Sequence, residues 1–218
     1  MFVGHYGASF ALKGIGKRIS LGWLFVAVQF LDIVWAIFVL LGIEKLRITP
    51  GFLEASNLDL YYMPFTHSLF GSLFWSVLVG ILFAYFSGMT SKKKIGLFIA
   101  FAVFSHFLFD IPVHSKDLLV FGNLKIGLGF WNNALYTYLI ESFVLVAGLS
   151  WYLKSTNPKS IIEKCGLFVF VAILLIVNYI NIYFPSTVSP NIFALEALFA
   201  YFVFAVFAFM IDKDKERF

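Results

Sequence analysis

The sequence predicts an all-α polytopic membrane protein, with six transmembrane helices and a short N-terminal helix that enters half of the membrane. Three observations predict this fold class. Hydrophobic residues make up 61% of the 218 residues and charged residues only 13%. With a mean hydropathy of +0.91, this composition excludes a soluble domain and a disordered chain. Several apolar segments reach the length, about 20 residues, that spans a bilayer. Basic residues are concentrated in the loops between these segments.

The first element is an apolar N-terminal segment, residues 2–12, which is too short to cross a membrane by itself. Gly14 and Gly16 follow it and predict a turn at the membrane interface. The segment is therefore expected to fold back against the first span. At about 1.5 Å of rise per residue, His5 and Asp32 would then face each other roughly 18–21 Å from the basic residues of the turn.

Six transmembrane spans follow, and the whole chain, residues 1–218, is expected to form a single membrane domain. Two longer connections between the spans lie on one side of the membrane, at residues 43–64 and 113–132. The second contains Gly122-Asn123 between two apolar runs, which is typical of a small β-hairpin. The spans are predicted at residues 20–42, 65–88, 95–112, 133–153, 164–184 and 190–211.

The basic residues predict the orientation of these spans. Twelve of the sixteen lysines and arginines fall on the side that carries both termini, among them Lys13 and the run Lys92–Lys94. The positive-inside rule therefore predicts that the N- and C-termini are cytoplasmic. Because the basic residues are spread over several short loops, nucleic acid is not an expected partner, and the membrane lipid is.

All four histidines lie inside or at the edge of apolar segments, together with three carboxylates. Ionisable groups are costly in a membrane unless they pair, bind a metal or line a wet cavity. Imidazoles and carboxylates together form a zinc-type ligand set. Counted from the basic loops, His106 and Glu141 lie about 18–20 Å deep, which places them in the outer half with His5 and Asp32. The seven residues are His5, Asp32, His67, His106, Asp110, His114 and Glu141.

Several of these residues also have structural interpretations. Asp110 lies one helical turn after a histidine, so it could hold that ring in an ion pair without any metal. Asp32 could be a neutral, hydrogen-bonded acid. Glu141 could be a ligand, a general base or a structural acid.

Three further positions leave their orientation open. His67 follows Pro64, which suits a helix start, so it is expected in an early turn of the second span, nearer the outer surface. His114 follows Pro112, which kinks or ends a helix, and it could face inward or lie on the surface. Glu196 in the last span could reach the outer interface and has no assigned role.

The order of these residues resembles that of the bacterial membrane-bound metal-dependent hydrolase family, which includes LexA-regulated inner-membrane hydrolases. The resemblance extends over residues 1–153, and the helices at 164–211 add little to it. It implies a hydrolase in the bacterial inner membrane. The matching motifs are Gly4-His5, Asp32, Thr66-His67-Ser68 and His106-x-x-x-Asp110.

A more distant resemblance is to zinc-dependent phospholipase C, whose ligands run His, Asp, His, His-x-x-x-Asp, His and His-x-x-x-Glu. It implies metal-assisted hydrolysis of a phosphoester, on a phospholipid or lipid-linked substrate, with Asp110 and Glu141 in catalytic roles. Thr137 stands where the last histidine of the pattern is expected, so one or two Zn²⁺ ions are implied. The implied metal ligands are His5, Asp32, His67, His106, Asp110 and His114.

Two other functions stay open on the sequence. The polar layer could be part of a transporter for a metal ion or protons, or it could hold together a non-catalytic membrane scaffold. Polar groups at a single depth favour a closed site over a transport path, which would extend them across the membrane. Cys165 is the only cysteine, so the chain has neither an intrachain disulfide nor a thiolate metal cluster.

Overall fold

The computed structural model describes residues 2–16, 18–156 and 161–212, and this part of the chain is all-α apart from two small hairpins. The predicted fold class, an all-α polytopic protein, is confirmed. The helices are α1 (His5–Ile15), α2 (Leu21–Val28), α3 (Phe30–Leu40), α4 (Leu69–Phe86), α5 (Lys92–Val113), α6 (Ala134–Thr156), α7 (Ile161–Tyr183) and α8 (Pro190–Asp212). The strands are β1 (Lys45–Ile48), β2 (Leu58–Tyr62), β3 (Leu118–Phe121) and β4 (Leu124–Ile126).

Five helices, α4 to α8, are long and apolar enough to cross a membrane. The first predicted span, residues 20–42, is broken into α2 and α3, which meet at Gln29 with a bend of 51°. The prediction of six spans therefore agrees with the structure when this bent pair is counted as one. The break ends α2 at Val28, and the last carbonyl groups of a helix lack partners within that helix. At membrane depth such groups need another donor.

The predicted half-membrane helix is present as α1, whose 11 residues extend about 16 Å. It lies inside the bundle and packs against α6 and α2. Gly7 and Gly148 allow the close approach to α6, because a Cβ at Gly7 would collide with the carbonyl of Val144 and one at Gly148 with the carbonyl of Gly7. Small residues at helix crossings serve the same purpose in other membrane proteins.

The far end of α1 carries a buried ion pair that the sequence does not predict. Lys13, expected among the basic residues of a cytoplasmic loop, is buried, and its Nζ lies 2.6 Å from Oδ2 of Asp212. The same Nζ donates a hydrogen bond to the carbonyl of Ile19, and Asp212 Oδ2 accepts one from the amide of Leu21. This pair ties α1 and the start of α2 to the end of α8.

The two longer connections form antiparallel hairpins at the opposite end of the bundle. β3 and β4 pair as predicted, with Leu118 opposite Ile126 and with Gly122 at a positive φ of 56° in the turn, a conformation that glycine adopts without strain. The pairing of β1 with β2 is a feature that the sequence pattern did not indicate. Both hairpins lie beside the polar residues described next.

Candidate metal centre

Four histidines and two aspartates from different parts of the chain converge at one buried point. These are the six residues predicted as metal ligands, and the structure brings all of them together. His5 begins α1, and Asp32 lies in the first turn of α3. His106 and Asp110 lie on α5, while His67 precedes α4 and His114 follows α5.

Asp110 lies at the middle of this cluster and contacts all four imidazoles. Its Oδ1 is 3.2 Å from His5 Nε2 and 3.6 Å from His114 Nε2. Its Oδ2 is 3.2 Å from His106 Nε2 and 3.7 Å from His67 Nε2. One carboxylate thus offers a different oxygen to each of two pairs of histidines.

Asp32 forms the second carboxylate of the cluster. Its Oδ1 lies 3.1 Å from His67 Nε2 and 3.4 Å from His106 Nε2. Its Oδ2 accepts hydrogen bonds from Gln29 Nε2 at 2.7 Å and from the Tyr201 hydroxyl at 3.1 Å. These two bonds leave Oδ1 directed at the histidines.

The spacing of these ligand atoms suits a bound cation. In a tetrahedral zinc site with bonds of about 2.0–2.1 Å, neighbouring ligand atoms lie about 3.3–3.4 Å apart. The nitrogen-to-oxygen distances of 3.1 to 3.7 Å fall around this value. Two groups have all three ligand atoms within 4.8 Å of one another: His5 with His106 and Asp110, and Asp32 with His67 and His106.

Hydrogen bonds to groups outside the cluster determine that Nδ1 carries a proton in two of the rings. His106 Nδ1 lies 2.7 Å from the carbonyl oxygen of Val28, and His114 Nδ1 lies 3.0 Å from Asp117 Oδ1. Carbonyl and carboxylate oxygens only accept hydrogen bonds, so each Nδ1 carries a proton and donates it. When such a ring is neutral, its Nε2 atom carries a lone pair that faces the aspartates. This arrangement is usual for metal-binding histidines.

His67 is fixed in the same way through two relay residues. Glu44, which is buried, accepts the hydroxyl proton of Thr66 at 2.6 Å and the backbone amides of Phe65 and Thr66. Because the Thr66 hydroxyl proton points to Glu44, its oxygen accepts from His67 Nδ1 at 2.8 Å. His67 Nε2 therefore also faces the cluster as a lone pair when the ring is neutral.

The Nε2 atoms of these rings lie at short range from carboxylate oxygens. Within the described residues, the buried Nε2 of His106 and both ring nitrogens of His5 have no hydrogen-bond partner. When the ring is neutral, an Nε2 lone pair at 3.2 Å from a carboxylate oxygen is repelled by it unless a cation lies between them. The donor set, imidazole nitrogens with carboxylate oxygens, is the one that zinc and similar divalent ions bind.

Glu141 lies apart from these ligand atoms and has a structural contact. Its Oε2 accepts hydrogen bonds from the backbone amides of Phe2 and Gly4, at 3.1 and 3.2 Å. The carboxylate thereby holds the start of α1, the helix that carries His5. Glu141 also lies on the wall of the cavity that reaches the cluster.

The structure corrects one sequence expectation and settles two others. His67 is not in the first turn of a helix, because α4 begins at Leu69 and Ser68 is its N-cap. The Ser68 hydroxyl oxygen accepts a hydrogen bond from the amide of Gly71. His114 is turned inward and buried. Thr137 takes no part in the cluster, because its hydroxyl donates to backbone carbonyls at the start of α6.

Four residues of the site's surroundings were missed by sequence reasoning or given no role there. Glu44 and Asp117 lie in the connections between spans, where acidic residues are ordinary and carry no signal. Tyr201 lies on α8, outside the part of the chain with the family resemblance, and Trp131 was assigned only to the membrane interface. Trp131 packs on the ring of His114, with 4.3 Å between the ring centroids.

A cavity of about 320 Å³ leads to the cluster. Asp32, whose side chain is 15% exposed, is the most accessible of the four acidic and imidazole groups that line its inner end. These four are Asp32, His67, Asp110 and His114. A small molecule could therefore reach the ligand atoms, as a catalytic centre requires.

No protein-family model, curated protein or solved structure matches this chain. The resemblances to membrane-bound hydrolases and to phospholipase C therefore stay predictions, and the geometry of the buried cluster is the direct evidence on function.

Proposed function

We propose that this protein is a membrane-embedded, Zn²⁺-dependent hydrolase of phosphoesters in the bacterial inner membrane. The observation that carries the proposal is the convergence of imidazole nitrogens and carboxylate oxygens at ligand-to-ligand distances. Hydrogen bonds hold the Nδ1 atoms of three of these rings on the side away from the cluster.

The cluster has enough ligand atoms for two ions. Asp32, His67 and His106, with Asp110 Oδ2, would hold an ion at what we call the first site. His5 and His114, with Asp110 Oδ1, would hold an ion at the second site. Bound divalent ions supply Lewis acidity and activate water near neutral pH, and a pair of ions can hold both the attacking and the leaving oxygen of a phosphoester.

The protein side chains have complementary roles in this proposal. Among the described residues, the cavity wall contains acidic side chains but neither lysine nor arginine, so a phosphate group would be repelled without bound cations. Glu141, on the same wall, is proposed to accept a proton from the attacking water. Tyr201 and Gln29 position Asp32, and Glu44, through Thr66, positions His67.

The first test measures the zinc content of detergent-purified protein. We expect close to two ions per chain in the wild type, none in Asp110→Asn, and at most one in His106→Ala or Asp32→Ala. Asp59→Asn is the matched control, because Asp59 pairs with Arg47 on the surface and should leave the zinc content unchanged. Substoichiometric zinc in the wild type, or equal zinc in all variants, would contradict the proposal.

The second test separates an enzyme from a transporter or a scaffold. Phosphoester and phospholipid turnover is measured in detergent, where no gradient exists and transport contributes nothing. We expect turnover that requires zinc and that falls at least about a hundredfold in Glu141→Gln. Stoichiometric zinc with no turnover on a broad substrate panel would refute hydrolysis and favour transport.

A further inference from the structure

Part of the wall of the cavity that reaches the candidate metal centre is formed by α7, α8 and the loop between them. Exposure increases along its wall, from the nearly inaccessible Asp110 through Asp32 to Ile180 and Phe184, which are 52% and 69% exposed. Although α7 and α8 are consecutive helices joined by a short loop, they contact each other at few points. A sparsely packed helix pair with exposed apolar residues beside the cavity is where a lateral opening to the lipid would lie.

Toward the extramembrane end, the cavity is closed by the segment between β1 and β2. Asn57 Nδ2 donates to the carbonyl oxygens of Pro185 and Ser186, both at 3.1 Å, which attaches this segment to the loop after α7. The amide of Ala55 donates to the carbonyl of Trp131 at 2.9 Å. These bonds hold the segment over the extramembrane end of the cavity.

The cavity wall has two chemical characters. Between the mouth and the metal centre, it is formed by apolar side chains such as Trp35, Val177, Phe193 and Ala197. The mouth itself carries two exposed polar groups, Asn181 on α7 and Glu196 on α8. A ligand that fits must have a phosphate for the metal centre, an apolar part for the wall and the membrane, and a group compatible with a carboxylate.

We propose that the cleft between α7 and α8 is the lateral entrance for a zwitterionic phospholipid-like substrate, an amphiphilic phosphoester whose headgroup carries an ammonium group. This inference rests on the proposed hydrolase function and names its substrate class. The acyl part stays in the membrane beside Ile180 and Phe184, and the phosphate reaches the cluster beside Asp32. Glu196 pairs with the ammonium group and disfavours headgroups whose net charge is negative.

The experiment uses full-length protein in nanodiscs and a phosphatidylethanolamine analogue with a photoreactive diazirine next to its phosphate. Ala197→Trp fills the cleft, and Leu195→Trp is the matched control, because Leu195 lies on α8 but faces outward and is exposed. We expect labelling to fall at least about tenfold in Ala197→Trp and to stay unchanged in Leu195→Trp. Both variants should keep the wild-type zinc content, which shows that the centre is intact.

Labelling is measured on zinc-free and on zinc-loaded protein, so it does not depend on turnover. Zinc-dependent hydrolysis of a short, soluble phosphoester is measured alongside in the wild type and in Leu195→Trp, and it should be equal in the two. If labelling falls in Ala197→Trp but not in Leu195→Trp, and no substrate is turned over, the lateral entrance is supported and the hydrolase proposal is wrong. If soluble phosphoester is hydrolysed but Ala197→Trp labels like the wild type, the entrance is wrong.

Headgroup selectivity is tested with the corresponding phosphatidylglycerol analogue. The wild type should label with the ethanolamine lipid several-fold more strongly, which corresponds to the free energy of about one ion pair near a surface. Glu196→Gln should remove this preference. Equal labelling of both lipids by the wild type would overturn the assignment of Glu196.

Discussion

Asp117 illustrates how one residue outside the ligand set determines the chemistry of a histidine. Its carboxylate accepts the Nδ1 proton of His114, and this leaves Nε2 as the atom that faces Asp110 at 3.6 Å. Such an outer carboxylate fixes the ring orientation and raises the basicity of the ligating nitrogen. In the proposed metal centre, this side chain would contribute to zinc affinity without binding the ion.

Replacing Asp117 with asparagine should weaken zinc binding at the second site about 10- to 100-fold, because the outer charge is lost. The first site, formed by other histidines, should keep its affinity. Competition titration with a chelating dye resolves the two binding steps. Lys116→Ala is the control, because Lys116 is the exposed neighbour, and loss of affinity at both sites in Asp117→Asn would contradict the assignment.

Residue spacing predicted the convergence of the histidines and aspartates better than it predicted the contacts around them. His106 and Asp110 share a helix face, and simple counting of helical rise placed His5, Asp32 and Glu141 near one level. Glu44 gave no such signal, because its contact with Thr66 depends on how two separate connections fold over the bundle. Long-range contacts of this kind have no local periodicity in the sequence.

At the scale of elements, the position of His5 depends on the crossing between α1 and α6. Gly7 and Gly148 remove the side chains that would hold the two helices apart, and Glu141 on α6 binds the first amides of α1. A change at this crossing should therefore reach the metal centre through the position of a whole helix.

Gly148→Ala should displace α1, reduce zinc at the second site by at least half, and destabilise the protein by about 1–3 kcal/mol, a typical cost of overpacking. Gly166→Ala on α7 is the matched control, because a Cβ there meets nothing within 4 Å. Zinc analysis and thermal unfolding in detergent measure both effects. Equal behaviour of the two variants would show that the crossing does not position His5.

The sequence predicted the spans well, because each one has a continuous apolar composition. It did not predict the bend at Gln29, since residues 26–32 contain neither proline nor glycine and would suit an uninterrupted helix. The β1–β2 hairpin was missed because its strands have only four and five residues and are joined by a long connection, residues 49–57, with no tight-turn signal. Both features depend on packing between distant segments.

At the scale of the whole molecule, the polar groups divide between two ends of an apolar bundle. The metal centre and both hairpins lie at one end, and the Lys13–Asp212 pair lies at the other. The positive-inside rule assigns the Lys13 end to the cytoplasm. The described chain begins at Phe2, beside Glu141, and the predicted cytoplasmic position of the two termini stays a prediction.

This orientation can be tested by cysteine labelling in a Cys165→Ala background. A membrane-impermeant maleimide should label Asn123→Cys, in the turn between β3 and β4, from outside intact cells. Ser91→Cys, in the loop between α4 and α5, should react only after permeabilisation. The reverse pattern would place the metal centre in the inner half of the membrane and invert the proposed topology.

The contact between Val28 and His106 has a consequence for how this protein tolerates mutation. Val28 supplies a main-chain oxygen, and every amino acid carries that atom. Position 28 should therefore accept any residue that fits the buried core without altering which His106 nitrogen is protonated. The protonated nitrogen of His106 therefore depends on the path of the backbone through the bend at Gln29. It does not depend on which side chain stands at position 28.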